Sequence, residues 1–153
     1  MPVIVIGADS EYGIAVAQAL ARRDGEVRAF VTDPGSAQPL RDLGIKVAVG
    51  DVSDGSHIEG AAHRAFTAVL ISEAASDGRE RSFARSFDHL VTAWADALQA
   101  ARVERVLWVG PDEAAPGPIR EAGVEIACID TRLMPPEEAA REAMRLDDRA
   151  DLS

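Results

Sequence analysis

A doubly wound α/β fold with a mostly parallel sheet is predicted by three features of the sequence: short β-branched runs, Ala- and Arg-rich stretches between them, and a glycine loop directly after the first run. With 153 residues the chain has a common size for one domain, and it can bury roughly two-thirds of its unfolded surface in a single core. The strand runs are Val3–Ile6, Val27–Thr32, Lys46–Val49, Ala68–Ser72, Arg105–Val109 and Val124–Ile129. Most are apolar without an in/out alternation, as a parallel sheet covered by helices on both faces requires. Helices are expected around Ile14–Arg23, Leu40–Leu43, Ser56–Phe66, Arg79–Arg102, Pro118–Ala122 and Glu137–Leu146. No internal repeat or low-complexity linker interrupts the alternation.

The strongest helical period lies in 79–102, where Phe83, Phe87, Leu90, Val91, Trp94, Leu98 and Ala101 recur at three- and four-residue steps. That stripe is expected to cover the sheet. Part of it, Trp94 included, is also the expected face for a homodimer, since doubly wound proteins pair through such a helix. After Met134, the run Pro135, Pro136, Glu137 and Glu138 has the proline and acids of a helix start. The chain thus divides into a main domain, 1–134, and a C-terminal helical tail, 135–153. Only Met144 and Leu146 are large apolar residues in that helix, which predicts weak docking and a frayed end from Asp147 to Ser153.

Composition narrows the functional classes. A net charge of −10 with scattered arginines opposes phosphate-backbone binding, so nucleic acid is not an expected partner. The apolar runs are too short to span a bilayer and no basic stretch leads into a secretory segment, so the expected location is the cytoplasm, with no membrane partner. Cys128 is the only cysteine, which excludes an intramolecular disulfide and favours a small buried hydrophobe over a nucleophile.

The first strand runs into Gly7-Ala8-Asp9-Ser10-Glu11-Tyr12-Gly13 and then an Ala-rich helix. This is where Rossmann-type folds, with strand order 3-2-1-4-5-6, set a pyrophosphate on a helix N-terminus. Glycine serves such a loop in the tight turn, in backbone approach to phosphate, and in helix-on-strand packing. Gly7 and Gly13 take the outer places, with Ser10 at the middle position of a Gly-x-x-Gly-x-x-Gly spacing. Asp9 and Glu11 put carboxylates beside the amides meant for pyrophosphate, and like charges are costly where water is excluded. Asp9 or Ser10 instead suits a helix cap.

In this loop, in Gly25 to Pro34, in Leu43 to Asp54 and in Ala122 to Ile129, the chain resembles the NmrA-like group of atypical short-chain dehydrogenases, in truncated form. The resemblance implies a bound NAD or NADP. It assigns Gly7, Asp9, Ser10, Glu11, Tyr12 and Gly13 to the phosphate loop, Thr32 and Asp33 to the ribose, and Asp51 to the adenine amino group, with the backbone of Val52 beside it. Relatives that choose NADP carry arginine near the end of strand two, where this chain has Thr32, so NAD is slightly favoured. The alternative for the loop is a Rossmann turn kept for folding alone, and for Asp51 a turn or cap ahead of the third helix.

Classical and extended members of the short-chain dehydrogenases use a Tyr-x-x-x-Lys pair, in which lysine lowers the tyrosine pKa for proton exchange with substrate. The only tyrosine here is Tyr12 and the only lysine is Lys46, so no such pair can form. His57 and His63 lie six apart on different helix faces, and no zinc spacing is present. Ser72 lacks the Gly-x-Ser-x-Gly elbow. Asp112 and Glu113 fall in a Pro/Gly loop at the ligand edge of such sheets. The expected function is therefore a non-catalytic NAD(P)-binding module with a sensing or regulatory role. The alternatives are a ligand-free interaction protein, or a small oxidoreductase whose site a partner chain completes.

Overall fold

Apolar side chains on both faces of each central strand dictate where the sheet lies. The computed structural model describes residues 1–79 and 81–152. Strands β1 (Val3–Ile6), β2 (Val27–Val31), β3 (Lys46–Val49), β4 (Thr67–Ile71), β5 (Arg105–Gly110) and β6 (Glu125–Asp130) form one sheet in the order β3-β2-β1-β4-β5-β6. Every pairing is parallel. Strands β1, β4 and β5 are buried along their whole length, whereas β3 at one edge is only partly covered.

The two-residue period of a strand divides the core. Ile4, Ile6, Phe30, Leu70 and Trp108 face one side, and Val3, Val5, Val31, Val69 and Val109 face the other. Helices α3 (Gly55–Ala62) and α5 (Phe87–Ala100) cover the first side. Helices α1 (Glu11–Ala21), α2 (Ala37–Arg41) and α7 (Pro136–Asp148) cover the second. Short helices α4 (Ser72–Ser76) and α6 (Gly117–Arg120) follow β4 and β5. None is long and apolar enough to cross a membrane.

The strands fall within one residue of the sequence expectation at each end, but the helix expected over 79–102 is shorter. It begins at Phe87, where the Ser86 hydroxyl accepts from the His89 amide at 3.2 Å and caps the first turn. Phe83, counted in the apolar stripe, is 67% exposed. The rest of the stripe is consumed inside the chain. Leu90, Val91, Trp94 and Leu98 are buried, Trp94 packs against Trp108 with ring centroids 6.5 Å apart, and its indole N–H donates to the Val52 carbonyl at 2.7 Å. Trp94 therefore has no surface to offer a second copy.

The tail helix also differs from expectation: α7 is firmly seated. Its Ala139, Ala140 and Ala143 are buried, and small side chains facing the alanines of α1 allow close approach that two large residues would prevent. Its C-terminus rests on Arg105, the first residue of β5, which is fully buried. Arg105 Nη1 donates to the carbonyls of Leu146, Asp147 and Arg149 at 2.9, 3.0 and 2.7 Å, and Nη2 pairs with Glu125 at 3.1 Å. A cation at the carbonyl end of a helix is favourable, and burial makes its donors indispensable. Up to residue 152 the chain beyond the helix stays attached, with the Leu152 amide on Glu125 at 2.7 Å; Ser153, the last residue of the expected frayed end, lies outside the described residues.

Arg105→Ala is expected to lower unfolding stability by roughly 3 kcal/mol, since it strands buried carbonyls and an acid. Arg105→Lys should recover only part, because an ammonium lacks the forked donors. Urea unfolding of the three proteins measures this; an alanine variant within about 0.5 kcal/mol of the parent, the range of an ordinary surface change, would contradict the assignment.

Candidate functional site

The turn between β1 and α1 is shaped by two glycines and one hydroxyl. Gly7 has φ of 93°, a left-handed conformation that glycine adopts without strain. Ser10, not Asp9, is the cap: its hydroxyl accepts from the Gly13 amide at 3.1 Å and donates to the Gly7 carbonyl at 2.8 Å. Gly13 rides so closely on Gly7 that a Cβ would overlap the Gly7 carbonyl oxygen and lie 2.8 Å from Ala8 Cα. Helix geometry then leaves the amides of Glu11 and Tyr12 as first-turn donors without helical carbonyls, at the positive end of α1.

Asp9 is turned away from those amides. Its Oδ2 accepts from the amides of Thr32 and Asp33 at 2.9 and 3.1 Å, which fastens the glycine loop to the end of β2. The Asp9 side chain is 2% exposed, and Arg79 Nη1 meets the same oxygen at 2.5 Å. Asp33 caps the short 3-10 turn Pro34–Ser36, accepting from the Gly35 amide at 3.0 Å. Thr32 Oγ1 is buried without a partner.

Arg79, Ser82 and Phe83 link the ends of β1 and β3. Asp51, just after β3, accepts from the Ser53 amide and hydroxyl through Oδ1 at 2.8 and 2.6 Å and from the Ser82 amide through Oδ2 at 2.8 Å. The Phe83 amide donates to Ser53 Oγ at 3.1 Å. Arg81, which is buried, donates to the carbonyls of Ala74, Asp77 and Arg79 at 2.6, 3.0 and 2.7 Å and to Asp77 Oδ1 at 2.7 Å. Burial pushes the Asp51 carboxyl up, but the Ser53 and Ser82 hydrogen bonds and the Arg81 charge outweigh it and hold it below the ordinary carboxylate range. Asp77 is held down likewise, with burial opposed by Arg79 and Arg81. Arg79, Arg81, Ser82 and Ser53 escaped the sequence reading. The only local signal was Asp77-Gly78, a turn pair that ends a helix.

Beyond the glycine loop, the carboxyl ends of β4, β5 and β6 enclose a cleft of about 290 Å³ lined by Tyr12, Ile71, Ser72, Val109, Gly110 and Thr131. Its one phenol donates away, to the carbonyls of Met134 at 2.8 Å and Thr131 at 3.3 Å. Burial, with the charges of Glu11 and Glu137, raises the Tyr12 pKa above its usual value. Lys46 begins β3 at the opposite edge of the sheet and pairs with Glu26. Asp112 and Glu113 are exposed. Cys128 is half-buried and donates to the Asp112 carbonyl at 3.3 Å; burial and then Asp112 push its thiol up, the reverse of a nucleophile's setting. His57 packs edge-on against Phe30 and His63 is exposed. Among the described residues, no cluster of three His, Cys, Asp or Glu is placed to hold a metal ion.

A folded pKa below the unfolded value contributes stability that is full above the ordinary carboxylate range and is lost as pH falls through the folded value. The melting temperature should therefore hold from neutral pH down to about pH 5 and drop below about pH 4. Asp51→Asn should melt lower at neutral pH and lose part of that acid slope. Thermal melts of both proteins across this range test it, and equal slopes would contradict the role given to Asp51.

The architecture has counterparts in known proteins. Triphenylmethane reductase of Citrobacter sp., solved with NADP(H), superposes with a TM-score of 0.67 at 18% identity, over 84% of this chain and 48% of that one. The NADPH-dependent quinone oxidoreductase of Escherichia coli, solved with NADPH, gives 0.66 at 20% identity, over 84% and 48%. Anaerobillin reductase of Escherichia coli O157:H7 gives 0.73 at 14% identity, over 100% and 93%. The chain thus spans about half the length of the first two and nearly all of the third. No curated protein matches in sequence. Residues 7–124, from the first glycine of the loop to the start of β6, match the NAD(P)H-binding family, and the chain belongs to that family.

Proposed function

We propose that this chain is an NAD(P)-binding module, holding its ligand across the carboxyl ends of the strands, that performs no acid–base catalysis with its own side chains and so has a sensing or regulatory role. The observation that carries the binding reading is the first turn of α1, where the Glu11 and Tyr12 amides are left as donors by the Gly7–Ser10–Gly13 turn and suit a pyrophosphate. The lining of the neighbouring cleft suits the nicotinamide end. At the other end, Asp51 Oδ2 accepts one hydrogen bond and a carboxylate oxygen has room for two, which leaves a place for an adenine amino group.

The absence of acid–base work rests on Tyr12 and Lys46. The phenol points its proton at two backbone carbonyls and is a weaker acid than usual, and the ammonium lies at the far edge of the sheet. Reduction of a simple carbonyl needs a proton for the developing alkoxide, and neither Tyr12 nor Lys46 is set to give one.

A second reading is favoured by the cleft itself and by the relatives described as reductases of triphenylmethane dyes, quinones and anaerobillin. When bound, the reduced cofactor supplies a hydride, and an electron-poor conjugated acceptor takes it without a positioned acid. In that reading the cleft walls from Ile71 to Thr131 orient a flat acceptor and exclude water.

Calorimetric titration with NAD⁺, NADH, NADP⁺ and NADPH should show saturable binding of at least one. Glu11→Gln, which removes an exposed carboxylate from the first turn, should tighten it about threefold. No heat and no thermal shift with any of the four would refute the proposal. Incubation of the protein with NADH or NADPH and a simple aldehyde or ketone should consume neither; consumption there would refute the non-catalytic assignment, and consumption with a quinone or a triphenylmethane dye alone would select the reductase reading.

A further inference from the structure

In doubly wound dinucleotide sites the residue at the end of the second strand reads the adenosine ribose, an acid taking the 2′-hydroxyl and an arginine the 2′-phosphate. Here the acid at that place does not come from β2. Asp33 is occupied in capping its own turn, accepting from the Gly35 amide at 3.0 Å and the Ser36 hydroxyl at 3.4 Å. The carboxylate lodged against the end of β2 is Asp9 of the glycine loop, fixed by the Thr32 and Asp33 amides. Its second oxygen, Oδ1, is buried and has no hydrogen-bond partner. A desolvated carboxylate oxygen left without a donor is costly, and it marks a place for a donor that the chain does not supply.

We propose that Asp9 selects the cofactor: its Oδ1 accepts from the 2′-hydroxyl of the adenosine ribose and its charge rejects a 2′-phosphate, so that the chain prefers NAD(H) to NADP(H). This rests on the reading that the chain binds a dinucleotide. The nearby cations do not reverse the preference. Arg79 pairs with Asp9 and Asp77, and Arg81 with Asp77, so two arginines balance two aspartates and leave no positive charge over for a phosphate. A dianion placed against the buried Asp9 would meet repulsion in a medium that screens it poorly. In this proposal the Arg79 side chain, 32% exposed and bound to the neighbouring Oδ2, turns outward to admit the ribose while both backbone amides keep Asp9 in place. Removal of the Asp9 charge frees Arg79 to take a phosphate by a charge-assisted pair.

The test is calorimetry on the full chain with NAD⁺, NADP⁺, ADP-ribose and 2′-phospho-ADP-ribose, the last two reporting the adenosine end without the nicotinamide. The wild type should bind each unphosphorylated ligand about tenfold or more tightly than its 2′-phosphate. Asp9→Asn, which keeps the shape, and Asp9→Ser should lose that ratio, and Arg79→Ala added to Asp9→Ser should remove the phosphate affinity gained. Asp33→Asn should leave the ratio unchanged. Wild-type protein that binds the 2′-phosphorylated ligands as tightly overturns the inference, and so does a folded Asp9→Asn variant with an unchanged ratio. The wild-type comparison decides it even where a variant fails to fold. Binding of none of the four ligands overturns the dinucleotide reading itself, a result distinct from binding without preference.

Discussion

The structure depends on one close approach: the first turn of α1 lies on the Gly7 carbonyl with no room for a Cβ at Gly13. That contact sets the angle at which α1 leaves β1, and so the depth at which Val16, Ala17 and Leu20 reach the second core. It also determines which backbone groups are left over. Ser10 takes the Gly13 amide and closes on the Gly7 carbonyl, so the Glu11 and Tyr12 amides are left without helical carbonyls. In the proposed function the same packing that seats a helix on a strand also serves as the anion site, so that fold and binding rest on one constraint.

Around this turn the charges are arranged by pairing. Asp9, Asp77, Arg79 and Arg81 form a balanced cluster, with Asp51 and Ser53 holding the Ser82 and Phe83 amides beside it. The cluster joins the ends of β1, β2 and β3 to the segment leading into α5. The Asp9 carboxylate, expected to be an obstacle to phosphate, is thereby turned toward the end of β2. At the other end of the site Tyr12 ties the first turn to the loop after β6 through the Met134 and Thr131 carbonyls. The β2–β3 side of this edge is therefore polar and charged, and the β4–β6 side is a cleft walled by Ile71, Val109 and Gly110.

The strands were legible because a parallel sheet buried on both faces needs unbroken β-branched runs, and nothing else in the chain supplies them. Strand order and the place of the glycine loop came with that reading. The helices were read less well, for local reasons. Phe83 matched the period of α5, yet Ser86 caps the helix and leaves Phe83 outside it. The seating of α7 was missed because alanines carry little hydrophobic signal, although they permit the closest packing. Within the site, residues adjacent in sequence to Gly7 were legible. Arg79, 70 residues from Asp9, was not, since an ion pair between distant loops leaves no periodic trace. The burial of Arg105 was invisible for the same reason: its partners lie at the other end of the chain.

The account joins a family-typical loop to an untypical set of side chains, and its central claim is that the two leftover amides of α1 receive the phosphates of a dinucleotide. An amide-resolved nuclear magnetic resonance titration of the labelled chain with NAD⁺ tests this most directly. The account predicts saturable shifts at the Glu11 and Tyr12 amides, with smaller ones at Thr32 and Asp33 and none along α7. Shifts confined to residues remote from the glycine loop, or none at Glu11 and Tyr12 under conditions that saturate the protein, would contradict it.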